Sequence, residues 1–171
     1  MGSNIAPQVN FARAATLLLE AFPSARFSRV FETEPIGTQD APWFLNAAVA
    51  IETELHPRDL KFGVLRPLES RLGRQRSSDR NAPRTIDLDI AMRGDMVLKD
   101  STAGLEIPDP SILTAAHIAL PLADLAPQLL HPITGQSLRE IAANLPAGPT
   151  VRPLVEMDLG GGRARSQGGL E

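Results

Sequence analysis

Arg84-Thr85-Ile86-Asp87-Leu88-Asp89 alternates polar and apolar residues with a period of two, the pattern of a half-buried β-strand. A strand over Thr85 to Ala91 sends Ile86, Leu88 and Ile90 into a core and sets Asp87 and Asp89 together on the opposite face. Two carboxylates on one rigid face suit a divalent cation held by oxygen, and Mg²⁺ is usually held by one or two carboxylates plus substrate phosphates. Arg74, Arg76, Arg80 and Arg84 lie just upstream with the opposite charge. Carboxylates for metal beside guanidiniums for phosphate are the parts that phosphoryl transfer needs. The same residues also read as a solvated strand face with its salt-bridge partners, and the spacing alone does not separate the two.

Upstream of this strand, Pro7 leads into a helix over Val9 to Ala21, ended by Pro23-Ser24. Phe27 to Thr33 and Phe44 to Glu54 read as strands, joined by a Pro- and Gly-bearing loop over Glu34 to Trp43. His56-Pro57 starts a helix to about Leu72, with a kink or break at Pro67. Gly73 to Pro83 is a polar, arginine-rich loop. Downstream come a short strand near Met96 to Leu98, a new unit at Ile107-Pro108-Asp109-Pro110, a partly helical stretch over Ile112 to Leu125, and a short amphipathic helix over Ser137 to Asn144. The Gly/Arg-rich end has nothing to bury, so a domain over 1–158 with a disordered tail over 159–171 is expected. The order of elements predicts an α+β fold, an antiparallel sheet with helices packed on it. The sheet is expected to be ferredoxin-like, with the strand that such a sheet needs before Gly2 missing.

The chain has 171 residues, enough for one domain with a real core. Its net charge of −3 argues against a protein that coats nucleic acid, yet six arginines (66, 71, 74, 76, 80 and 84) crowd one segment and only Lys61 and Lys99 are lysines. Cysteine is absent, which excludes disulfides and thiolate metal sites. No apolar run approaches membrane-span length and no signal peptide is visible, so a cytoplasmic protein with no membrane or nucleic-acid partner is expected; a monomer is the further expectation.

Taken in order, Gly2-Ser3-Asn4, Glu32-Thr33-Glu34-Pro35-Ile36-Gly37, Phe44-Leu45-Asn46-Ala47, Glu69 with Gly73-Arg74-Gln75-Arg76, Pro83 through Asp89, and Pro121-Leu122 with Ala126-Pro127 resemble the 6-hydroxymethyl-7,8-dihydropterin pyrophosphokinase family. The resemblance runs from Gly2 to roughly Asn144. It implies pyrophosphoryl transfer from ATP to the hydroxymethyl oxygen of the pterin, giving AMP and the pterin diphosphate in folate biosynthesis. It also implies two Mg²⁺ ions on Asp87 and Asp89, and phosphate contacts from Arg74 and Arg84 during transfer. By the same resemblance Glu69, Arg76, Arg80, Ile90 and Asp109 fall on the ATP side. Thr33, Pro35, Ile36, Phe44, Asn46 and His117 fall on the pterin side. An amide such as Asn46 offers a donor and an acceptor to the mixed edge of a pterin ring. Each of these positions has a plainer reading as well: surface ion pairs for the arginines, a helix-surface acid for Glu69, core packing for Ile90, Pro35, Ile36 and Phe44.

The chain departs from the family pattern at four places. No strand leads into Gly2-Ser3-Asn4, which suggests a native start upstream of Met1. Asp109 stands where a nucleotide-contacting histidine is common, and a turn role before Pro110 suits it better. His117 stands in place of a stacking phenylalanine, with Ala115 nearby where arginine is frequent, and Asn81 replaces a loop tryptophan. These changes motivate a second class of function, a catalytically weakened pterin- or nucleotide-binding homologue. A third, a ferredoxin-like nucleic-acid module, lacks strand aromatics for base stacking.

Overall fold

The computed structural model describes residues 1–34, 43–76, 82–155 and 157–159. The expected loop over Glu34 to Trp43 and the tail therefore lie largely outside the described residues, as do Pro35, Ile36, Arg80 and Asn81. Among the described residues the chain is α+β with antiparallel sheets. Its elements are β1 (Gly2–Ser3), α1 (Pro7–Ala21), β2 (Arg26–Phe27), β3 (Phe31–Thr33), β4 (Phe44–Asn46), β5 (Val49–Ala50), α2 (Pro57–Asp59), α3 (Arg66–Arg71), β6 (Leu98–Asp100), β7 (Leu105–Ile107), α4 (Ala116–Leu125), α5 (Leu138–Ala143) and β8 (Val151–Pro153). The main sheet has the order β1-β4-β3-β8, while β2 pairs with β5 and β6 with β7.

Helix α1 starts at Pro7, two residues before the expected Val9, because proline is pre-set for a first helical turn. Its buried face carries Phe11, Ala14, Ala15 and Leu18, the 3.6-residue stripe that seals it onto the sheet. Phe44 to Glu54 forms less strand than expected. Pairing breaks at Ala47-Ala48, where the Ser28 hydroxyl accepts from the Ala48 N–H at 2.9 Å, and ends at Ala50. The expected Met96–Leu98 strand forms two residues later, as β6, because its partner β7 sits opposite Leu98–Asp100.

The carboxylate segment differs most from the expected strand. No ladder runs from Thr85 to Ala91; a single bridge joins Asp87 to Gly2, since β1 offers only Gly2–Ser3 to pair with. Alternation nevertheless survives at the front of the segment: Ile86 and Leu88 are buried and Asp87 and Asp89 face outward. Ile90 is only partly buried against the core. Two-residue β1 thus lies between β4 and the carboxylate segment.

Pro67 does perturb its helix, as expected. Between α2 and α3 the chain makes a π-helical stretch, Leu60–Leu65, and the Arg66 N–H reaches back to the Lys61 carbonyl. Pro67 has no N–H to give and its ring crowds the preceding turn, so one wide turn accommodates it. A second apolar cluster, Ile112, Ala119, Leu138 and Ile141, joins α4 and α5, and Ser137 closes a capping box with Glu140 at the start of α5. Leu159 is buried in the main core.

Candidate active site

The sheet register sets up the site. Gly2 is opposite Asn46 on β4 and bridged to Asp87 on its other side, so Asp87, Gly2 and Asn46 stand in line across three adjacent segments. Directly opposed residues in antiparallel pairs point to the same face, so the carboxylate and the amide share one face with a bare glycine between them. A β-carbon at Gly2 would come within 3.1 Å of the Asn46 Oδ1. The Asn46 amide is buried and its Nδ2 donates to the Thr33 Oγ1 at 2.9 Å, which fixes its orientation. Phe44 flanks it on the same strand, and the Arg84 guanidinium lies 6.0 Å from the Phe44 ring centre.

Charge is concentrated on Asp87. The Arg84 guanidinium forms a close ion pair with Asp87 Oδ2, and the Arg74 Nη2 lies 3.9 Å from its Oδ1. Asn4 holds Arg84 in place: its Oδ1 accepts from the Arg84 N–H at 2.7 Å, and its own N–H donates to the Arg84 carbonyl at 3.1 Å. Asp89 is reached by water but ringed by protein atoms. That desolvation, and then the neighbouring Asp87 charge, push its carboxyl above the ordinary value. Burial pushes the His117 imidazole below its usual value, with Asp109 opposing the shift. Asp109 Oδ1 accepts from the Ser111 N–H at 2.8 Å, the turn role read from the sequence.

A cleft of about 990 Å³ brings Thr33, Phe44, Asn46, Arg84, Asp87, Asp89, Ile90, Asp109 and His117 together. Arg74 joins it through Asp87. Glu69 and Arg76 do not line it: Glu69 is buried behind the carboxylate segment, ion-paired with Arg76. Sequence reasoning missed Asn4 as the residue that holds Arg84, although Asn4 lies in the quoted Gly-Ser-Asn run. It also missed Lys61, which lines a smaller recess with Asp89 and Asp109. One signal was available for Lys61, since the chain has only two lysines.

Among the described residues no three His, Cys, Asp or Glu side chains converge into a metal cage. Asp87 and Asp89 instead offer two hard oxygen donors on an open cleft. That donor set fits Mg²⁺ completed by water and substrate phosphates. Among the described residues no helix is long and apolar enough to cross a membrane.

Comparison with known proteins points the same way. The family model for 7,8-dihydro-6-hydroxymethylpterin-pyrophosphokinase matches residues 1–127. A 2-amino-4-hydroxy-6-hydroxymethyldihydropteridine pyrophosphokinase of Methylorubrum extorquens is 40% identical over 153 residues, covering 86% of this chain and 92% of that protein. One of Pseudomonas aeruginosa is 36% identical over 149 residues, 85% of this chain and 89% of that protein. The folic acid synthesis protein fol1 of Pneumocystis carinii is 34% identical over 140 residues; the match takes in 81% of this chain but 18% of that longer protein. With a family model spanning more than half its length and relatives matched nearly end to end, the chain belongs to the 7,8-dihydro-6-hydroxymethylpterin-pyrophosphokinase family.

Proposed function

We propose that this chain transfers the pyrophosphoryl group of ATP to the hydroxymethyl oxygen of 6-hydroxymethyl-7,8-dihydropterin, releasing AMP and the pterin diphosphate in folate biosynthesis. The observation that carries the reading is the line Asp87–Gly2–Asn46 with Arg74 and Arg84 at its charged end. A polyphosphate is met at one end and a heterocyclic edge at the other. Two Mg²⁺ ions on Asp87 and Asp89 would neutralise the triphosphate and lower the proton affinity of the attacking hydroxyl.

The chain's own groups bind and orient. Asn46, held by Thr33, presents its amide to the ring edge, and Phe44 and His117 supply flat walls. The guanidiniums of Arg74 and Arg84 exchange Asp87 for phosphate oxygens, to which a planar fork is well matched. The hydroxyl oxygen bonds to the β-phosphorus, the bond from that phosphorus to the oxygen bridging to the α-phosphorus breaks so that AMP leaves, and the hydroxyl proton passes to solvent water. No protein general base is required, because positioning and electrostatics carry such transfers. Ile90 and Asp109 are assigned to the nucleotide side of the cleft, and the family resemblance adds Arg76 to that assignment. A monomer in the cytoplasm with a ferredoxin-like arrangement of the sheet completes the reading.

The test is AMP formation from ATP, with and without the pterin, across a Mg²⁺ titration. AMP that depends on both supports transfer. A folded protein that binds the pterin but makes no AMP would be the weakened binding homologue instead.

A further inference from the structure

Glu69 is 2% exposed, and both of its carboxylate oxygens are engaged. Its Oε1 accepts from the Leu88 N–H at 2.8 Å, and its Oε2 is ion-paired with Arg76. Its backbone carbonyl, in the last turn of α3, accepts from the Arg74 N–H at 3.0 Å. Three parts of the proposed site therefore converge on one residue: the amide between Asp87 and Asp89, the backbone of Arg74, and the guanidinium of Arg76.

The carboxylate segment needs such a support. Its bridge to Gly2 consists of two hydrogen bonds at Asp87, 3.0 and 2.8 Å. The next amide, on Leu88, points to the other side, as alternation in an extended segment requires, and there it meets the Glu69 side chain rather than another strand. Mere packing would not select a carboxylate here, because burial opposes its ionisation. A ligand could reach Glu69 only by displacing the groups it already holds.

We propose that Glu69 is a positioning residue, which pins the Asp87–Asp89 segment and so sets the geometry of the divalent-cation site without touching nucleotide. The inference rests on the pyrophosphokinase reading and assigns Glu69 a different place from the nucleotide contact that the family resemblance implies. Two conservative variants separate reach from charge. Glu69→Gln keeps an acceptor at the right distance from Leu88, whereas Glu69→Asp keeps the charge but is one methylene short.

The readout is binding of Mn²⁺ together with α,β-methylene-ATP, followed by Mn²⁺ paramagnetic resonance, with pterin affinity measured alongside as the check that the cleft is formed. Glu69→Gln is expected to hold Mn²⁺ within threefold of the wild type, and Glu69→Asp to weaken it at least tenfold, with pterin affinity unchanged in both. Wild-type Mn²⁺ affinity in Glu69→Asp overturns the proposal. So does a Glu69→Gln variant as weak as Glu69→Asp, or a wild-type protein that binds no Mn²⁺. Failure of the pyrophosphokinase reading looks different: intact Mn²⁺ and pterin binding in the wild type, with no AMP formed.

Discussion

Asp87→Asn should produce two effects of opposite sign. In the free protein Asp87 neutralises Arg84 by direct contact and Arg74 across 3.9 Å. At that distance, with an effective dielectric of about 20, one pair carries roughly 4 kcal/mol of raw attraction, most of it offset by the desolvation of both partners. An amide of the same shape cancels this attraction to both guanidiniums. Tripolyphosphate without metal should then bind at least tenfold more tightly to the variant than to the wild type, equivalent to about 1.4 kcal/mol. Turnover should fall by about a thousandfold or more, which corresponds to about 4 kcal/mol of lost transition-state stabilisation. Calorimetric titration of tripolyphosphate in EDTA and an AMP assay across a Mg²⁺ range measure the two effects. Turnover within tenfold of the wild type at saturating Mg²⁺ would refute the role of Asp87 as a metal ligand. Weaker tripolyphosphate binding in the variant would refute the idea that Arg74 and Arg84 are exchangeable between carboxylate and phosphate.

Further outcomes follow from other parts of the site and core. Gly2→Ala crowds the Asn46 Oδ1 at 3.1 Å and strains its bond to Thr33, so pterin affinity should fall about fivefold, the worth of about 1 kcal/mol, while metal-free ATP binding is unchanged by titration. Asp89→Asn removes a charge opposed by surrounding protein atoms and by its neighbour Asp87, so the ligand-free unfolding midpoint should rise while Mg²⁺-dependent AMP formation is lost. Burial holds His117 and His131 below their ordinary 6.5, so the unfolded chain binds more protons just below that pH and stability falls as pH drops through it. A His117→Phe, His131→Asn double variant should show a smaller drop in urea midpoint between pH 7 and pH 5 than the wild type. Ile86, fully buried beside the carboxylates, should cost about 2–5 kcal/mol when changed to Ala, measured by urea unfolding.

The pairing of Asp87 with Asp89 was legible because alternation is a local property of an extended chain, and it holds even where the ladder is a single bridge. The helix over 56–72 and its disturbance at Pro67 were legible for a similar reason: a missing N–H acts on its own turn. Glu69 was not, since a glutamate on a helix reads as surface, and it is the Leu88 amide, 19 residues away in sequence, together with the Arg76 guanidinium that makes burial tolerable. The length of the strand over Thr85 to Ala91 was set by what lies beside it, and β1 is two residues long. Arg84 could be matched to phosphate by its position, but its contact with Asp87 in the free protein is a tertiary fact.

The wide turn at Leu60–Leu65 also decides which way the residues after it face. An α-helix advances about 100° per residue, so one extra residue in a turn puts the two halves of a helix out of phase by that angle. Deleting Gly63, where nothing crowds the backbone, would restore a regular ladder and bring the halves back into phase. Either Glu69 would then swing away from the Leu88 amide, or the face that buries Pro57 and Leu60 would turn toward water. The helix keeps an irregular turn because its two ends have buried partners that a uniform spiral cannot meet at once.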